Sequence, residues 1–188
     1  MALKGPMLAL ALAALAGVAS SAPESGEGRR HASEHADRSA WTEVKWPFLL
    51  DQWGTGRAFR CPAAACGAEL DLYLRPKIGF CNCTIGVADD EELDRVGDVE
   101  LIGPRFVPVR DGRTVEVGWM KGRSRRYVVE IPQGGRRAVL AVAFNDKCDV
   151  VVATAVGDGA LPPDAERLAV ELLNSETVLR WVEVSLGL

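Results

Sequence analysis

The stretch AVLAVAFNDKCDVVVATAV, residues 138–156, reads as two apolar runs around a short polar interruption. Residues 138–144 and 150–156 have strand length, and Val and Ala fill them without a polar alternation. Such runs suit strands that lie deep in a sheet. Asn145 and Asp146 between them predict a turn, so the two runs pair antiparallel.

Upstream, ELDLYLR at residues 69–75 alternates strictly. Leu70, Leu72 and Leu74 share one face, and Glu69, Asp71, Tyr73 and Arg75 share the other. That period of two predicts a half-buried strand. Pro76 then ends the strand or puts it at an edge. Val115, Val117 and Trp119 repeat the alternation, and residues 127–131 predict a further strand.

Two segments carry helical signals. Asp89, Asp90, Glu91 and Glu92 place acids at a helix start, and Gly97 stops that helix. The acids lack the alternating ligands, central glycine and distal glutamate of a calcium-binding EF-hand loop. After Pro162 and Pro163, Ala165, Leu168, Ala169, Leu172 and Leu173 form one apolar stripe. Ser175 can cap a further turn holding Val178, Leu179 and Val182. Together these predict an α+β domain: a mostly antiparallel sheet with a C-terminal amphipathic helix on one face.

That domain spans residues 41–188. It opens on WTEVKWPFLLDQWG, in which Trp41, Trp46, Trp53 and Phe48 predict a segment packed on the sheet. Gly54 and Gly56 supply a turn before the next strand. Residues 1–20 predict an export signal: Lys4 is the positive n-region and residues 7–18 are apolar, short of the roughly 20 residues that span a bilayer. Residues 21–40 hold almost no large apolar side chain and predict a disordered leader. The expected location is periplasmic or secreted, with no transmembrane segment in the mature chain.

Charge and composition narrow the function classes. The formal charge is −4, which does not suit a nucleic-acid binder. Both histidines of the chain, His31 and His35, fall in the leader. Their spacing of four would suit a metal only if that segment became helical. Without a histidine in the domain, a Ser-His-Asp or Cys-His centre has no base. No phosphate-loop, dinucleotide or HExxH motif is present. These absences disfavour an enzyme and leave a binding or structural module as the main expectation.

The five cysteines are Cys61, Cys66, Cys81, Cys83 and Cys148. Export favours disulfides. Cys81 and Cys83 straddle one residue, so in an extended segment their side chains lie too far apart for a direct bridge. The spacing suits separate bridges from them to Cys61 and Cys66, with Cys148 left over, unless Cys148 takes one partner and frees another. The alternative is a soft-metal site, Cu(I) or Zn, held by Cys61, Cys66, Cys81 and Cys83; otherwise no cofactor is expected. A thiol oxidoreductase is the third reading, although C-x-x-C is missing.

A basic group completes the candidates. Lys121, Arg123, Arg125 and Arg126 fall at an expected hairpin turn, and Arg136 and Arg137 at the next. Projecting from one sheet end, the two turns would bind an anionic ligand, a lipid surface or a partner protein.

The runs WPFLLDQWGTGRAFRC (46–61), KIGFCNCTIGVADDEEL (77–93) and FNDKCDVVVAT (144–154) resemble a family of uncharacterised exported bacterial proteins. That resemblance implies a periplasmic location and brings no established activity. The terminal helix after antiparallel strands is similar in architecture to the PsbP/Mog1-like fold, a likeness that supplies no function.

Overall fold

The computed structural model describes residues 40–132 and 134–188. The export signal, almost all of the leader and both histidines lie outside these residues. Eight strands form one antiparallel sheet: β1 (Thr42–Val44), β2 (Arg57–Cys61), β3 (Leu70–Lys77), β4 (Arg105–Pro108), β5 (Arg113–Val117), β6 (Met120–Glu130), β7 (Arg136–Asp146) and β8 (Asp149–Gly157). Their order is β1-β2-β3-β8-β7-β6-β4, and β5 pairs with the first half of β6, on the edge whose second half takes β4. The helices are the short α1 (Ala63–Cys66), α2 (Asp90–Val96), α3 (Ala165–Leu173) and α4 (Glu176–Leu186). The class is α+β as expected, with two C-terminal helices packed on the sheet where one amphipathic helix and a further turn were read.

Both faces of the central strands are covered, which explains their sequence. Leu140, Val142 and Phe144 of β7 and Val151, Ala153 and Ala155 of β8 pack toward α3 and α4. Val139, Ala141 and Ala143, with Val150, Val152 and Val156, pack toward Leu93 and Val96 of α2. A strand buried on both faces has no polar alternation to show. The turn between β7 and β8 lies two residues later than predicted. Asp146 still pairs with Asp149, so Lys147 and Cys148 form the loop. Asn145 remains in β7, where its side-chain oxygen accepts from the Val87 N–H at 2.9 Å.

In β3 the alternation is correct, but the polar face is not open to water. Arg75 and Lys77 are buried as deeply as the leucines. Pro76 continues the strand rather than ending it. β2 pairs only as far as Leu74, so at Pro76 the strand has one neighbour, β8. A missing N–H costs least at such a local edge. At the far side of the sheet Pro104 and Pro108 bracket β4, which blunts that edge against pairing with another chain.

The helix ends match their signals. Asp89 accepts from the Glu92 N–H at 2.8 Å and caps α2. Ser175 caps α4 through the Val178 N–H. Asn174, between α3 and α4, accepts from the Gly118 N–H at 2.8 Å and donates to the Glu116 carbonyl at 3.2 Å. The helix pair is thereby registered on the β5–β6 turn.

The N-terminal aromatic segment crosses the α2 side of the sheet. Trp46, Phe48 and Tyr73 meet edge to face, with Phe48 and Tyr73 centroids 4.7 Å apart. Gly56 makes this seat possible. A Cβ there would stand 2.2 Å from the Leu74 carbonyl oxygen and 2.7 Å from the Trp46 ring. Gly54 differs, having φ +74° and open space around it. Gly56→Ala is therefore expected to lower stability by about 3 kcal/mol through overpacking against a strand backbone. Gly54→Ala should cost only about 1 kcal/mol, from backbone conformation alone. Urea midpoints of the two variants at unchanged slope check this order.

Candidate functional site

The cysteines separate into two places. Cys61, at the end of β2, bridges to Cys66 of α1. Cys83 bridges to Cys148 in the β7–β8 loop. Cys81 is left as a buried thiol. The expected bridges from Cys81 and Cys83 back to Cys61 and Cys66 do not form. Cys61 pairs with Leu70 at one end of β3, whereas Cys81 follows the other end. A strand of that length separates them by about 23 Å. The same distance prevents Cys61, Cys66, Cys81 and Cys83 from sharing one metal ion. Among the described residues no group of three or more Cys, His, Asp or Glu has metal-ligating geometry.

Cys81 lies against the β7–β8 loop. Its N–H donates to the Cys148 carbonyl at 3.1 Å, and its sulfur sits 3.3 Å from the Lys147 carbonyl oxygen. Burial, then the charges of Glu92 and Asp149, push its thiol up to about 11, against the opposing pull of Arg95. At neutral pH it is a protonated, protected thiol, unlike the activated thiol of an oxidoreductase.

The basic residues do not gather. Lys121, Arg123, Arg125 and Arg126 lie within β6, because the β5–β6 turn falls earlier, at Gly118 and the half-exposed Trp119. Arg136 and Arg137 begin β7, at the other end of β6. Consecutive hairpins turn at opposite sheet ends, so Lys121 and Arg136 stand about 30 Å apart. Alternation along β6 divides the group further. Arg123 pairs with Asp90 of α2, and Arg125 reaches Asp94 at 2.8 Å. Arg126, on the opposite face, donates to the Pro162 and Pro163 carbonyls at 3.0 and 2.8 Å. These three arginines dock α2 and the start of α3 onto β6.

A buried ionic knot on the α2 side was not foreseen. The Arg75 guanidinium forks onto Asp98 at 2.6 and 2.8 Å, and its third nitrogen holds Asp51 at 2.7 Å. Lys77 reaches Asp98 at 2.7 Å and donates to the Val96 carbonyl at 2.7 Å. Trp53 and Phe80 close over its ammonium at 5.6 and 5.4 Å. Burial opposes ionisation of Asp51, and the hydrogen bonds from Arg75 and the Trp53 N–H together with the charges of Arg75 and Lys77 outweigh it, so this carboxyl lies below its ordinary range. Every charge has a partner, so the knot fastens the 46–53 segment and the α2 exit to β3.

The opening that suits a ligand lies at the β4 edge. Arg105 of β4, Glu130 of β6 and Arg136 of β7 stand directly opposite one another, as do Val107, Val128 and Ala138. Ser124 and Arg126 of β6 face α3, through Glu166 and the Pro162–Pro163 carbonyls. By alternation Val128 and Glu130 share that face. The helical cover stops at Pro162 and Pro163, and the sheet continues beyond it. The result is a cleft of about 630 Å³ floored by Val107 and Val128. Val107 is 61% exposed. Arg105 holds Glu130 at 2.6 Å, and Arg136 approaches it at 4.0 Å. Arg105 keeps the Glu130 carboxyl below its usual range, so the rim carries two cations against one anion. Arg136 belonged to the expected basic group. Arg105 did not, because only strand register places it opposite Glu130.

Fold and site together define an α+β domain with two disulfides, an ionic fastening on one face and an open cleft on the other. No family model matches the chain, and no curated protein matches it. Several solved structures are similar to it in part. One is PA94 of Pseudomonas aeruginosa, a protein of unknown function, at 15% identity over 72% of this chain and 94% of that one, with a TM-score of 0.42. Another is LpqN of Mycobacterium tuberculosis, described as involved in cell envelope biogenesis, at 15% identity over 76% of this chain and 84% of that one, with a TM-score of 0.37. At these values they assign this chain neither a family nor a function. Among the described residues no helix is long and apolar enough to cross a membrane.

Proposed function

We propose that this chain is an extracytoplasmic, disulfide-stabilised binding module whose cleft at the β4 edge takes a small amphiphilic anion. The uncovered apolar floor beside Arg105 and Arg136 carries this reading. Val107 and Val128 offer a surface for an alkyl or ring body, and the two guanidinium groups offer a fork for a carboxylate, sulfonate or phosphate. Two disulfides in a domain of this size support an oxidising compartment.

The probe 8-anilino-1-naphthalenesulfonate should bind saturably, with a rise in its fluorescence. Dodecyl phosphate should displace it at least about tenfold better than dodecyltrimethylammonium, a ratio worth about 1.4 kcal/mol. Arg105→Glu and Val107→Asp should each weaken binding about tenfold or more, whereas Val184→Asp on the exposed side of α4 should not. Glu130→Gln should tighten binding severalfold by releasing Arg105. Equal competition by the two detergents, or equal loss in all variants, would remove the cleft as the site.

A further inference from the structure

We infer that Cys81, Cys83 and Cys148 form an exchangeable trio in which the bridge of Cys148 passes between Cys83 and Cys81, moving the free thiol between surface and interior. This inference does not rest on the cleft.

The geometry brings all three cysteines to one two-residue loop. Cys81 donates its N–H to the Cys148 carbonyl, and its sulfur contacts Lys147, the residue before Cys148. The Cys83 sulfur, bonded to Cys148, lies 4.0 Å from the Cys81 carbonyl oxygen. Both arms of the C-x-C element therefore approach the same partner. They differ in exposure: Cys81 is buried at 7%, and Cys83 is exposed.

The step balances within the protein. The Cys81 thiolate attacks the Cys148 sulfur, the Cys81–Cys148 bond forms, and the Cys83–Cys148 bond breaks. Cys83 departs as a thiolate and takes up the proton that Cys81 lost. No external oxidant or reductant is consumed. The starting isomer stores its thiol in the interior, and the product isomer presents it to solvent at Cys83.

Exchange needs the thiolate, and the charged groups facing Cys81 are Glu92 and Arg95 of α2 and Asp149 of β8. Because the thiol titrates at about 11, its thiolate fraction should rise about tenfold per unit between pH 7 and pH 9. The exchange rate should follow it.

The test uses protein purified under non-reducing conditions and incubated with N-ethylmaleimide and no reductant. Peptide mapping should find label accumulating on Cys83 in molecules that carry a Cys81–Cys148 bridge, about tenfold faster per pH unit. Cys81→Ser should abolish the Cys83 label. Label confined to Cys81, no label at all, or Cys83 label that survives Cys81→Ser would each overturn the inference. Cys83→Ser supplies a second measurement. Incubated with glutathione disulfide, which takes up the two electrons of the new bond, it should show Cys81 bridged to Cys148, and finding Cys81 unbridged would also overturn the inference.

Discussion

Asp98→Asn is expected to lower unfolding stability by about 3–5 kcal/mol, among the largest single-residue losses in this domain. The substitution keeps shape and removes one charge. Arg75 and Lys77 would then stay buried together, with only the more exposed Asp51 to balance them. A domain of ordinary stability has about 5–15 kcal/mol in total, so this one substitution would remove a large share of it. Lys77→Met should cost less. It removes a buried cation while Asp98 keeps its two-nitrogen fork from Arg75. Urea titrations followed by tryptophan fluorescence measure both, since Trp46 and Trp53 lie over the two cations. If Lys77→Met proves the worse variant, the Arg75 fork alone does not satisfy Asp98 and this order of costs is wrong.

The two disulfides should differ in worth. Cys83–Cys148 joins residues 65 apart, and Cys61–Cys66 joins residues 5 apart. On the chain-entropy account, loops of those sizes contribute about 4 and about 2 kcal/mol. Cys148→Ala should therefore approach a loss of about 4 kcal/mol. The Cys61→Ala/Cys66→Ala pair loses about 2 kcal/mol from loop closure, plus a smaller packing term for two buried sulfurs. The denaturant slope gives a second readout. Opening a cross-link that spans nearly half the domain expands the unfolded chain and should steepen the slope, whereas opening the short loop should leave it unchanged. A steeper slope for the short-loop variant alone would contradict this assignment of the larger constraint.

Local periodicity carried the fold a long way. The doubly apolar runs at 138–144 and 150–156 became β7 and β8, and the Leu stripe after Pro163 became α3. Asp89 and Ser175 cap the helices that follow them. These signals are local: alternation, capping and turn chemistry act within a few residues of one another. The errors share a different origin. Trp119 continues the alternation of Val115 and Val117 but lies in a turn. Arg123 and Arg125 look like loop charges and instead hold α2 on the sheet.

Composition and pattern alone determined the class of this protein: an antiparallel α+β domain without a histidine, carrying five cysteines. Only the tertiary structure decided which cysteines meet, which charges are buried and where the sheet is left open. Disulfide partners and cross-strand neighbours are set by strand order, and β3 pairs with β8 across the intervening chain. That pairing takes Cys148 to Cys83, and the return of β4 along β6 sets Arg105 against Glu130. Contacts between residues far apart in sequence depend on how the whole sheet closes, and the pattern around any one of them does not record its partner.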